Sequence, residues 1–104
     1  MTFKTTELFD KQAKKLSKKY KNLKNDLKLL IGDFESLHQS STSIQKNLYK
    51  IRLANSNKNK GKSAGYRIYY YVKVEETTYL LTIYDKSDVE IIDEDLLIEL
   101  IENL

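Results

Sequence analysis

The stretch LYKIRLANSNKNKGKSAGYRIYYYVKVEETTYLLTIYD, residues 48–85, decides the fold. Within it LYKIRLA (48–54), YRIYYYVKV (66–74) and TYLLTIYD (78–85) alternate and are rich in β-branched and aromatic residues, the pattern of strands. Between them lie a polar loop, NSNKNKGKSAG (55–65), whose Gly61 and Gly65 permit turns, and a short turn, EET (75–77). Consecutive strands at this spacing predict an antiparallel meander.

Upstream, Phe9, Ala13, Leu16, Tyr20, Leu23, Leu27, Leu30 and Phe34 recur at alternating steps of four and three, an amphipathic helical pattern over 6–35. Thr5 or Thr6 can cap its start, with Glu7 and Asp10 near the positive end of the dipole. Asn22 and Asn25 are poor helix formers and place a break near Tyr20–Asn25, so a helical hairpin is expected. Ser40, Ser41, Thr42 and Ser43 mark a loop, and TFKT (2–5) can add an edge strand. Downstream, Leu96, Leu97, Leu100, Ile101 and Leu104 have helical spacing behind the acidic start Asp93, Glu94 and Asp95. The expected fold class is α+β, with the helices against one face of the sheet: one domain over residues 1–104, an N-terminal helical hairpin packed on a small antiparallel sheet, and a C-terminal helix.

Composition narrows the function. The 104 residues suit one domain, and 40% hydrophobic residues suffice for a core. No run of about 18 apolar residues is present, and the N-terminus lacks an apolar signal-peptide centre, so a cytoplasmic protein with no membrane partner is expected. Without cysteine there are no disulfides, thiolate metal sites or cysteine nucleophiles. The net charge of +3 hides a strong asymmetry. Residues 36–74 contain no acid but carry Lys46, Lys50, Arg52, Lys58, Lys60, Lys62, Arg67 and Lys73, whereas from Glu75 onward Lys86 is the single cation. A one-signed stretch of this kind fits a polyanionic partner. The lysines of residues 1–30 read more simply as a solvated surface.

Strand alternation sorts the side chains into two faces. Tyr49, Ile51 and Leu53, with Ile68, Tyr70, Val72, Leu81 and Ile83, are expected to meet the helices. Lys50, Arg52, Arg67, Tyr69, Tyr84 and Lys86 then share the other face, where cations hold phosphate and aromatics stack bases. RNA cleavage through its own 2′-hydroxyl requires a base, a group stabilising the phosphorane, and an acid for the 5′-oxygen. Lysine, arginine and tyrosine can supply these with no metal or other cofactor. The simpler alternative is a binding face without chemistry.

Other candidates are weaker. His38 reads as a helix C-cap or surface residue, since it has no partner histidine. Ser56 and Ser63 lack a His–Asp pair. GKSAG (61–65) lacks the upstream glycine and following helix of a nucleotide-binding loop. Lys58, Lys60 and Lys62 instead make this loop a candidate contact for RNA backbone, together with Tyr69 and Lys73 on the second strand.

Taken together, YKIRLANSNKNKGKSAGYRIYYYV (49–72) and YLLTIYDKSD (79–88) resemble the HigB-like branch of the RelE/ParE toxin superfamily. The shared pattern is a KIR strand, a Lys- and Gly-rich loop, a YRIIYY-type strand and an LLTIY-x-K strand end. The resemblance implies a microbial-RNase-like fold and a type II toxin that cleaves mRNA in the ribosomal A site. It also implies inhibition by a helix-turn-helix antitoxin encoded beside it. By position, Lys50 and Arg52 would face the scissile phosphate and Arg67 would stabilise the phosphorane. Tyr84 and Lys86 would occupy the catalytic strand end, and Lys60 and Lys62 would hold RNA backbone. The tyrosine that some relatives carry in the C-terminal segment has no counterpart after Tyr84, so the general base stays unassigned. A ParE-like gyrase inhibitor of the same fold, without RNA chemistry, is the alternative; a plain RNA-binding module is the third. A monomer is expected for the chain alone.

Overall fold

The computed structural model describes residues 2–58, 61, 64–73, 76–88 and 92–104. In chain order the elements are β1 (Thr2–Thr5), α1 (Glu7–Lys19), α2 (Leu23–Gly32), α3 (Phe34–Gln39), β2 (Thr42–Gln45), β3 (Leu48–Leu53), β4 (Tyr66–Lys73), β5 (Thr77–Asp85) and α4 (Glu94–Glu102). A 3-10 turn at Lys86–Asp88 follows β5.

The helical pattern breaks near Tyr20 as expected, giving α1 and α2 as separate helices. The Thr6 hydroxyl caps α1 by accepting the Phe9 N–H at 3.0 Å, and the helix ends where Tyr20 turns extended. Phe9, Leu16, Leu23, Leu30 and Phe34 are buried against Ile51, Leu53, Tyr66, Ile68, Tyr70, Leu80 and Ile83. Burying this many large apolar side chains, at about 1.5–3 kcal/mol each, is the main force holding helices to sheet.

The sheet has five strands in the order β1-β5-β4-β3-β2. Strands β3, β4 and β5 form the expected antiparallel meander. Two expectations need correction here. The sheet is mixed rather than antiparallel, because β1 runs parallel to β5, with Thr2 opposite Thr77 and Thr5 opposite Leu80. The serine-rich segment read as loop contributes β2, which pairs with β3 through a turn in which Asn47 takes φ 65°. TSIQ has little apolar signal because this edge strand is mostly exposed.

A third correction concerns layering: the helices do not all lie on one face. Helices α1 to α3 cover the first face, while α4 packs on the second through Leu97, which is fully buried with Leu48, Tyr69 and Leu81. The cause is a bulge. Opposite the adjacent pair Tyr69–Tyr70, the β5 partners are Thr82 and Leu80, so Leu81 is the extra residue. The irregularity turns Leu81 to the second face, against the strict alternation that put it with Ile83. An apolar patch thus forms there and takes the Leu97 face of α4. No helix among the described residues is long and apolar enough to cross a membrane.

Candidate functional site

Strand register brings the central candidates together. Arg52 on β3 lies opposite Arg67 on β4, and Arg67 lies opposite Tyr84 on β5. One step along, Lys50 is opposite Tyr69, which is opposite Thr82. Two adjacent rows, Arg52–Arg67–Tyr84 and Lys50–Tyr69, therefore cross three strands spaced about 4.8 Å apart. Packing is graded across this face. Arg52 is exposed and Lys50 and Tyr84 are half-buried, while Arg67 and Tyr69 are only 7% and 9% exposed.

The aromatic members are fixed by each other and by α4. The rings of Tyr69 and Tyr84 stack with centroids 6.5 Å apart, and the Lys50 ammonium lies 5.7 Å from the Tyr69 ring. Burial, then the neighbouring Tyr84 hydroxyl, pushes the Tyr69 phenol up to about 12. At neutral pH Tyr69 is therefore a hydrogen-bond donor, unsuited to act as a base. Burial, then the Arg52 charge, lowers the Arg67 guanidinium from its ordinary value, although an arginine stays charged regardless. Its Nη1 donates to the Gly65 and Tyr66 carbonyls at 3.4 and 3.3 Å. A guanidinium fixed in this way beside a second one can hold a phosphate with several donors and stabilise added charge on it.

The remaining candidates are placed differently. Lys86 is exposed in the 3-10 turn just beyond Tyr84, with its N–H bonded to the Gly65 carbonyl at 3.1 Å. Lys73 lies at the far end of β4, roughly 20 Å along the strand from Arg67, and so is not part of the two rows. Lys58 is half-buried and engaged within the fold: its ammonium pairs with Asp85 at 2.5 Å, bonds the Ala64 carbonyl at 3.2 Å and lies 5.4 Å from the Tyr20 ring. Lys60 and Lys62 fall outside the described residues.

Two polar clusters escaped sequence reading. Asp85, fully buried on the helix side, accepts from Lys58, from Asn55 at 3.2 Å, from Tyr20 at 3.3 Å and from Ser87. The signal was available, since alternation places Asp85 with Ile83, where an acid needs partners. His38 is neither a cap nor a surface residue. Its Nδ1 meets the Tyr70 hydroxyl and its ring stacks on Phe34 at 5.5 Å, edge-on to Tyr49 at 4.7 Å. Among the described residues no three His, Cys, Asp or Glu side chains converge as metal ligands would. No protein-family model matches the chain, and no curated protein matches it in sequence.

Proposed function

We propose that the protein is a metal-independent endoribonuclease of the RelE type, the toxin of a toxin–antitoxin pair, acting on mRNA at the ribosome in the cytoplasm. The observation that carries this reading is the in-register row Arg52–Arg67–Tyr84, with Lys50 and Tyr69 beside it. In this reading the exposed Arg52 meets the scissile phosphate, while Arg67, held by backbone carbonyls, stabilises the dianionic phosphorane formed as the 2′-oxygen attacks phosphorus. Tyr84 and Lys86 stand at the strand end from which a proton can pass to the departing 5′-oxygen. The 2′,3′-cyclic phosphate and a 5′-hydroxyl are the products, and no redox or metal step is involved. The helix-turn-helix antitoxin and the 70S ribosome enter as partners through the resemblance of residues 49–72 and 79–88.

The test is inducible expression in a bacterial host with primer-extension mapping of mRNA ends. The wild type is compared with Arg67→Ala and with the exposed-site variant Arg52→Ala, whose fold has least to lose. New 5′ ends inside translated codons are expected, dependent on translation and reduced about 100- to 1000-fold by either variant. Growth arrest with intact mRNA and an SOS response would replace this reading with the gyrase-inhibitor alternative.

A further inference from the structure

We propose that the groove between α1 and the margin of β5 is a second phosphate subsite, which seats the RNA chain beyond the nucleotide held on the sheet. This rests on the RNA reading above and extends it to a surface whose lysines the sequence left as solvated. Strand β1 pairs with β5 only as far as Thr5 opposite Leu80, so among the described residues no strand lies outside 81–85 on the side away from β4. Helix α1 fills the gap. The Gln12 side-chain oxygen accepts the Ile83 N–H at 2.9 Å and the Thr82 hydroxyl at 2.8 Å, which fixes that helical face against the strand. A cavity of about 390 Å³ remains there, lined by Gln12, Lys15 and Lys19 from α1, by Ile83 and Tyr84 from β5, and by Asp88.

Gln12, Lys15 and Lys19 recur at i, i+3 and i+7, so they share one face of the helix. Both ammonium groups are on exposed residues, and no ion pair within 4 Å holds either one among the described residues. Lys19 lies 5.2 Å from the Tyr20 ring, a contact that positions the charge without neutralising it. Asp88 is the single acid in the lining, leaving the groove with a net positive balance. Tyr84 belongs to both places: it ends the Arg52–Arg67–Tyr84 row and walls the cavity. Positive charge therefore continues from β3 across the sheet, around the β5 margin and onto α1. A single strand leaving the sheet row in that direction has its next phosphate between Lys15 and Lys19, with Tyr84 at the bend as a stacking surface.

The experiment uses a short 2′-O-methyl RNA, which cannot be cleaved, and measures affinity across a salt series by fluorescence anisotropy. Lys15→Gln with Lys19→Gln is compared with Lys14→Gln with Lys18→Gln, an equal charge change on exposed positions outside the cavity. The cavity pair is expected to weaken binding about tenfold and to lower the log–log salt slope by roughly 1.4, the release expected for two single-strand phosphate contacts. The control pair should change the slope far less. Equal effects from both pairs would overturn the subsite, reducing α1 to diffuse charge while leaving the RNA reading intact. If the wild type fails to bind the RNA even at low salt, the subsite falls by itself, because cleavage at the ribosome is judged by the mapping of mRNA ends and not by this assay.

Discussion

The Asp85 carboxylate accepts hydrogen bonds from the side chains of Tyr20, Asn55, Lys58 and Ser87. Burial alone would raise its pKa, but hydrogen bonds from Lys58, Ser87 and Asn55 outweigh burial and hold the carboxyl at about 2. The native state thus binds the proton less readily than the unfolded chain, whose carboxyl titrates near 3.8. Its contribution is complete above about pH 4 and is lost as pH falls towards 2, on the order of 2 kcal/mol in all. Unfolding midpoints measured from pH 6 to pH 2 should show this acid limb in the wild type and a flattened one in Asp85→Asn. An unchanged limb in the variant would assign acid sensitivity elsewhere. Lys58 is the other half of the pair, which is why a cation read as an RNA contact is engaged inside the fold. Its residue type and loop position were legible; the direction in which the loop folds back was not, because that depends on a partner 27 residues away.

Between residue and fold stand the loops and the bulge. Gly65 sits where a Cβ would come 2.1 Å from the Leu53 carbonyl oxygen and 2.9 Å from the Asn55 nitrogen, both backbone atoms with little room to yield. Gly65→Ala should therefore destabilise the protein by about 1–3 kcal/mol or more, measured by denaturant unfolding. A cost under 1 kcal/mol would mean that the β3–β4 connection tolerates displacement. The strands, the helix break at Tyr20 and the Thr6 cap were all readable from local pattern, since each depends on residues close in sequence. Two elements were not. β2 is short, polar and at an edge, and it gains its identity only from β3. The placement of α4 on the second face follows from one irregular residue in β5, and periodicity assumes that no such residue exists. Lys50, Arg52, Arg67 and Tyr69 share the face that alternation assigns them because they lie on β3 and β4, where alternation is unbroken.

At the scale of the whole molecule, the first and last strands of the sequence-distant pair β1·β5 close the fold. Thr2 pairs with Thr77, and Phe3 packs edge-on against Phe34 with ring centroids 5.1 Å apart. Contacts this remote in sequence must form against a large loop-closure entropy, so folding should be slow for a chain of this size, in milliseconds to seconds by stopped-flow. Removing residues 2–5 should lower the thermal midpoint by about 4–8 °C for each kcal/mol lost, through missing ladder bonds and the absent Phe3 ring. A truncated chain with the full midpoint would make β1 an ornament. Charge is also distributed at this scale, with lysines along α1 and acids along α4 on opposite faces of the sheet.

Gln12 has one more consequence. A sheet margin with bare amide and carbonyl groups is a template on which another copy can add strand upon strand, and many proteins deter this with a lysine or proline on the edge itself. Along the last part of β5 that task falls to one side-chain amide from a helix, which occupies the Ile83 N–H. Loosening α1 would thus uncover a hydrophobic, tyrosine-rich strand to its neighbours, and the species to fear in concentrated preparations is an aggregate grown from that margin.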